Sequence, residues 1–321
     1  MAHISCVGLA CLDYLFSVPT LPSGGGKSFA DNYKAAPGGP AAAAAIAVAA
    51  LGHRASFIGR LGDDQTGREV VRHLASRNVD TAHIRLIENE TSQVSSVIID
   101  RSGERQIINY SSSTLDSDPS WIPEAIIQNS DFVLADVRWP EGAQHALRLA
   151  RTHNIPSLLD ADITPVDISG LVDLATYTVF SERGLEMVSG VKNVAEALST
   201  IAAVTSTWPA VTAGERGCFW LEEGQLRNSP AEAINAVDTC GAGDVFHGAF
   251  AAAMAEQMQL HEAMRFAGVT AALKCLSFGG SLGAPDRAEV DRYLAGKRTA
   301  GGGDRVESAC SQSGNKKSRR G

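Results

Sequence analysis

A doubly wound, mostly parallel α/β sheet with helices on both faces is the fold class that this sequence predicts, on three observations. From residue 132 onward, strand-like apolar runs at 132–137, 157–160, 177–181 and 209–212 alternate with helical stretches such as 142–152, the rhythm of strands joined by crossover helices. Residues 4–9 form a short apolar run that reads as a buried first strand. Asp238-Thr-Cys-Gly-Ala-Gly-Asp244 leads from a glycine-rich turn directly into an apolar helical run ending near residue 255. With 321 residues the chain is long enough to bury the core of one large domain, assigned to residues 1–294.

The elements follow in order. Asp13 comes just past the first strand, at the edge where open α/β sheets bind ligands. Residues 19–37 are polar and broken by glycine, with Lys27, Asp31, Asn32 and Lys34 in short alternation rather than helical period, which suits an edge pair or lid. Gly38-Gly39-Pro40 opens an alanine-rich helix to residue 51, with proline in the first turn. Residues 55–60 are strand-like, and 63–77 are helical with Val70, Val71 and Leu74 on one face. Residues 94–99 and 106–110 flank Asp100-Arg-Ser-Gly-Glu104, a hairpin signature. With segment 14–37, segment 91–110 makes a small antiparallel lid. Helices at 242–255, 260–276 and 287–294 complete the body.

The chemistry centres on Asp238–Asp244. Amides of Gly241, Ala242 and Gly243 open a helix and point at an anion, using unpaired N–H groups and the positive helix end. Asp244, in the first turn, stands where a carboxylate takes the proton of an attacking hydroxyl. Phosphoryl transfer to a small alcohol is the expected reaction, although an ordinary capped junction carries the same Gly-Ala-Gly-Asp tetrapeptide. Arg138, just after a buried strand, has the fork to grip a tetrahedral anion, or else pairs with Asp136 at the surface. Asn109 and Lys27, on the two lid segments, are placed to reach the same anion.

The string Asp238-Thr-Cys-Gly-Ala-Gly-Asp-Val-Phe-His-Gly-Ala249 resembles the C-terminal signature of the ribokinase-like pfkB carbohydrate kinases. That resemblance covers the body to about residue 294 and implies a ribokinase-like fold using ATP and Mg²⁺, with a monovalent cation as a further candidate. It also implies a homodimer through the β lid. Gly38 and Gly39 match the paired glycines that let a sugar hydroxyl approach the backbone; the Asn usual a few residues on is replaced by Ala43. Thr212, Gly214 and Gly217 match the nucleotide-binding turn, with Gly241 also on the ATP side, although a plain strand-to-hairpin turn would look alike. Glu182 is the one carboxylate matching the metal-organising element, where Ser181 and Gly184 depart from the pattern; a solvated surface Glu reads the same. The strings at 38–42, 109–110, 134–139, 159–165 and 244–248 are similar to the sulfofructose kinases of that family. This finer resemblance implies that O1 of 6-deoxy-6-sulfofructose is phosphorylated and that Lys27, Asn109 and Arg138 bind the sulfonate. Fructose 6-phosphate, a neutral ketose or a keto-acid sugar are the alternatives, as is a non-catalytic sugar-binding relative.

Other classes are disfavoured. Ser23-Gly-Gly-Gly-Lys-Ser28 ends like a phosphate-binding loop, but its first glycine position is Leu21 and no helical run follows. No Gly-x-Gly-x-x-Gly follows the first strand, against a dinucleotide-binding dehydrogenase. The formal charge of −8 includes a basic tail, residues 295–321, whose Lys and Arg outnumber Asp304 and Glu307, so the body is more acidic still and unsuited to nucleic acid. The tail is expected to be disordered. The six cysteines lack Cys-x-x-Cys spacing, and neither a signal peptide nor a membrane span is read, so a reduced cytoplasm is the expected compartment.

Overall fold

The computed structural model describes residues 1–301, so most of the expected basic tail lies outside the described residues. The chain runs β1 (His3–Gly8), β2 (Cys11–Val18), β3 (Asn32–Gly38), α1 (Pro40–Ala50), β4 (Arg54–Gly62), α2 (Gln65–Ser76), β5 (Val79–Ile87), β6 (Val94–Asp100) and β7 (Arg105–Tyr110). It continues through α3 (Glu124–Gln128), β8 (Phe132–Asp136), α4 (Pro140–Thr152), β9 (Ser157–Ala161), α5 (Ser169–Leu174), β10 (Tyr177–Ser181), α6 (Glu182–Ser189) and α7 (Val194–Val204). The last elements are β11 (Trp208–Thr212), β12 (Cys218–Glu222), β13 (Gln225–Ser229), α8 (Ala242–Ala255), α9 (Leu260–Lys274) and α10 (Arg287–Gly301). The final helix, expected to stop at 294, continues to Gly301.

The main sheet has the order β13-β12-β11-β10-β9-β8-β1-β4-β5. From β5 to β11 every pairing is parallel; β12 and β13 add an antiparallel hairpin at one edge. The chain reverses direction of travel at β1, which lies between β4 and β8, making a topological switch point at which such sheets bind ligands. Burial on both faces explains the mostly apolar runs of β1 and β8. Ile4 and Cys6 join one core with α1, α8 and α9, while Val7 joins the other with α4 and α7. The alanines of α1 have a packing cause: a Cβ at Gly248 of α8 would fall on the Ala44 carbonyl, so the two helices meet backbone to backbone. β5 escapes a periodicity search because it is an edge strand bearing Asp80, His83 and Arg85. No helix among the described residues is long and apolar enough to cross a membrane.

The lid is a four-stranded sheet ordered β3-β2-β6-β7. Its outer pairings are antiparallel, and the central β2–β6 pairing is parallel. Asp13 therefore belongs to a lid strand rather than to the loop after β1. One register row crosses the sheet as Ala36, Asp13, Ser95 and Asn109. Directly opposed residues share a face, so Asn109 and Asp13 lie on the same side, together with buried Leu15 and Val97 two residues further on.

Candidate active site

The C-terminal ends of β1, β8 and β9 and the N-terminus of α8 bring acidic groups together at the switch point. Asp136 stitches the point itself: its carboxylate accepts from the amides of Leu9 (2.8 Å), Ala41 (3.0 Å) and Arg138 (2.8 Å). Gly8 is required beside it, since a Cβ there would overlap that carboxylate. Burial pushes Asp136 up to about 6 against the pull of those amides.

Asp244 is the third residue of α8, a helix anchored by buried Val245, Phe246, Ala249 and Phe250. The turn before it has a specific shape. The Ala242 amide donates to the Thr239 carbonyl (3.3 Å) and Gly241 sits at φ 78, ψ 6, the third position of a type II turn, where a left-handed backbone calls for glycine. This corrects the expected anion hole: Ala242 closes the turn, whereas the amides of Gly241, Gly243 and Asp244 have no acceptor among the described residues. Three donors at a helix N-terminus remain available for an anion.

Behind Asp244 stand Asp160, near the end of β9, and His247, one helical turn on; polar atoms of all three lie within 4.8 Å of one another. Asp160 and His247 are buried. His247 Nδ1 is 3.0 Å from Asp160 Oδ2, an ion-pair approach not aligned as a hydrogen bond, and its Nε2 has no hydrogen-bond partner among the described residues. Burial alone lowers the affinity of His247 for a proton, yet the neighbouring carboxylates, Asp160 foremost, leave it raised. Burial, and next the charge of Asp160, push Asp244 up to about 7. Burial also raises Asp13. A carboxylate poised near neutrality is what a general base for an alcohol needs. Since only the deprotonated form accepts the hydroxyl proton, turnover is expected to rise with pH through about 7, then level off. A pH profile of kcat/KM flat down to pH 5 would contradict this.

The residues expected to contact the sugar lie on or beside the lid. A Cβ at Gly38 would fall on the Asp13 carboxylate, and one at Gly39, whose φ is 93, on the Leu9 carbonyl. The paired glycines thus let Asp13 lie flat against the start of α1. Ala43 is buried, leaving no polar group at that turn of α1. Arg138 does not pair with Asp136 through its side chain. Its guanidinium donates to the Asp162 carboxylate and the Ile163 carbonyl, each at 2.7 Å, while its further N–H groups have no acceptor among the described residues. Lys27 lies exposed on the loop between β2 and β3, and no hydrogen bond or ion pair ties it to Arg138 or Asn109.

On the other side, β10 and β11 end in register at Ser181 and Thr212. Thr212 Oγ1 reaches the Phe180 carbonyl (3.4 Å). Gly214, at φ 53, faces open space. Gly217 has a packing cause instead: a Cβ there would strike the Ser229 carbonyl of β13. Glu182 begins α6 and pairs with Arg216 of that same turn, so the two expected nucleotide elements are joined. A hard cation such as Mg²⁺ takes oxygen ligands and keeps several waters. Glu182 offers a carboxylate of that kind if it exchanges Arg216, whereas the Asp160–Asp244–His247 trio, with an imidazole nitrogen as one of its three ligand groups, does not match an all-oxygen set.

Several residues were not singled out from sequence. His247 falls inside the Asp238–Ala249 string, and Asp160 is a charge at the end of an apolar strand, the one signal the sequence offers for it. Arg105 of β7 donates to Thr239 Oγ1 (2.5 Å), bringing the lid onto the catalytic turn. Lys34, read from sequence only as part of the polar lid segment, lies against Gly279. Neither has a local sequence signature, because each meets its partner only where the lid packs against the rest of the chain.

A family model described as pfkB family carbohydrate kinase matches residues 1–287. A ribokinase of Bacillus subtilis is 28% identical over 299 residues, covering 92% of this chain and 100% of its own. Among solved structures, an Agrobacterium tumefaciens protein named as a ribokinase matches with TM-score 0.89 and 40% identity, over 93% of this chain and 99% of its own. Arabidopsis thaliana ribokinase complexed with ribose and ATP matches with TM-score 0.77 and 25% identity, over 91% and 98% respectively. The fold, the anion-binding turn with its carboxylate and these matches agree: the chain belongs to the pfkB family of carbohydrate kinases and is an ATP-dependent enzyme that phosphorylates a sugar hydroxyl.

Proposed function

We propose that the acceptor is a ketohexose with a singly charged anion at C6, 6-deoxy-6-sulfofructose, phosphorylated at O1. The observation that carries this reading is the state of Arg138 at the end of β8. Its charge is partly answered by Asp162 while free N–H groups remain, and Asn109, on the same lid face as Asp13, supplies a neutral amide donor. A half-neutralised guanidinium with an amide suits a monoanion better than the dianion of a phosphate near neutral pH. Lys27 is assigned as the third donor, brought in by the lid loop. Fructose 6-phosphate and neutral or keto-acid sugars are the alternatives within the class, and the names of the relatives favour ribose.

In this reading Asp13 and the Gly38–Gly39 backbone bind sugar hydroxyls, and Asp244 takes the O1 proton as the oxygen attacks the γ-phosphorus and the bond to the β,γ-bridging oxygen breaks, releasing ADP. The amides of Gly241, Gly243 and Asp244 stabilise the charge on the transferring group, so catalysis rests on positioning and electrostatics. Thr212, Gly214 and Gly217 form the ATP side, Gly217 by shaping the turn. Mg²⁺ would neutralise phosphate charge when bound with ATP, with Glu182 as its protein carboxylate. Incubation with sulfofructose and ATP should yield a product whose ³¹P and ¹³C spectra place one phosphate on O1. Phosphate elsewhere, or no product above the background of ATP hydrolysis, would contradict the assignment.

A homodimer through the lid belongs to the same proposal. The face away from Asp13 carries Tyr14 stacked on Tyr33 (6.4 Å between ring centres), with Ile108 and Tyr110 exposed beside them, an apolar patch of the kind that marks an interface. Ile108→Lys should shift the mass measured by light scattering from dimer to monomer; a monomeric parent protein would rule the dimer out.

A further inference from the structure

Beneath the catalytic turn lies a lysine with no access to solvent. Lys274, the last residue of α9, and Asp238, the first residue of the turn, both have fully buried side chains. Lys274 Nζ donates to the Asp238 carbonyl (2.7 Å) and stands 3.6 Å from Asp238 Oδ1. The same carboxylate accepts from the amides of Cys240 (2.8 Å), Gly279 (2.9 Å) and Gly280 (2.8 Å). It therefore ties the start of the catalytic turn to the 279–283 segment. That segment in turn holds the substrate side, through the Ser281 hydroxyl on the Pro37 carbonyl (2.6 Å), next to Gly38. A buried carboxylate needs a cation as well as amides, and here the chain provides it. The carbonyls at the C-terminal end of α9 add negative potential at the same place; that of Cys275 accepts the amides of Val237 (2.8 Å) and Asp238 (3.2 Å).

A monovalent cation, which the family resemblance implies as a further cofactor, would need a carboxylate and carbonyl oxygens of this kind. The Asp238 carboxylate and carbonyl are already answered by an ammonium of the chain, so those residues do not fit a bound ion. We propose that Lys274 is the built-in monovalent cation of this kinase: a positioning residue that neutralises Asp238 and holds the Gly241–Gly243 turn in its anion-binding shape, so that activity needs no added potassium or ammonium. Lys274 touches neither reactant and acts through Asp238.

The test compares full-length protein in potassium chloride, ammonium chloride and tetramethylammonium chloride at equal ionic strength, reading melting temperature and ATP-dependent turnover of the best sugar. Melting needs no sugar, so an error in the assigned substrate leaves that readout intact. The parent protein should give the same melting temperature and kcat in all three salts. Lys274→Met removes the charge but keeps most of the chain length; kcat should fall by roughly a hundredfold in tetramethylammonium, as expected for a displaced catalytic turn. Potassium or ammonium, small enough to enter the vacated space, should raise its melting temperature and restore part of the turnover, and a purely structural lysine would show no such ion-specific rescue. The double variant Asp238→Asn/Lys274→Met removes both charges and should melt without dependence on potassium. Several-fold activation of the parent protein by potassium would overturn the proposal. So would full activity of Lys274→Met in tetramethylammonium, or lack of any potassium effect on it. If Lys274→Met alone does not fold, the parent protein and the double variant decide, and a potassium-dependent melting temperature in either contradicts the proposal.

Discussion

Asp244→Asn is expected to leave ATP and sugar binding in place and to lower kcat by roughly a hundred- to ten-thousandfold, the usual contribution of a positioned general base. The amide keeps the shape at the start of α8 but cannot accept the hydroxyl proton. The three amides facing the anion remain, so a residue of catalysis from charge stabilisation should persist. Burial and Asp160 hold the Asp244 carboxylate near neutrality, which makes proton transfer from an alcohol easier to complete than with an ordinary acidic side chain. Steady-state kinetics with ATP and sugar binding by calorimetry check the two halves of this expectation. A kcat near that of the parent protein would mean that another group takes the proton.

The second large effect is expected at Arg138. Arg138→Lys keeps a charge but loses the planar fork, and with it the ability to hold Asp162, the Ile163 carbonyl and a bound anion together. Losing a hydrogen bond to a charged group costs about 1.5–3 kcal/mol, roughly ten- to a hundredfold in kcat/KM. That loss should fall on sulfofructose and spare neutral fructose, which has no anion at C6. An equal loss on both sugars would place Arg138 in the architecture of the β8 end and leave selectivity to other residues.

Much of the fold was legible because buried parallel strands write themselves as short, mostly apolar runs, as β1, β8 and β9 do. The lid hairpin was equally plain from its turn residues at 100–104. β5 was not, because an edge strand with Asp80, His83 and Arg85 has no periodic core face. Asp244 and the Gly241 turn could be read since the whole device is local in sequence. Lys274 and Arg105 could not, since each meets the catalytic turn only through tertiary contact, from α9 and the lid, and Asp160 shows in the sequence only as a charge ending an apolar strand. Ala242 shows the limit of a motif: it marks an anion-binding turn without telling which amide closes the turn and which face the ligand. Gly217 shows a second limit, because the same positive φ serves a close approach to β13 as readily as one to a phosphate.

Selection of the sugar by a single negative charge at C6, as proposed for this pfkB kinase, is decided by a coupled assay of ADP formation across sulfofructose, fructose 6-phosphate, fructose and ribose. The structure-based reading predicts the highest kcat/KM for sulfofructose, with fructose 6-phosphate and fructose both well below it and ribose lowest. Highest kcat/KM for ribose or for fructose would contradict it, showing that Arg138, Asn109 and Lys27 do not form the pocket that decides the substrate.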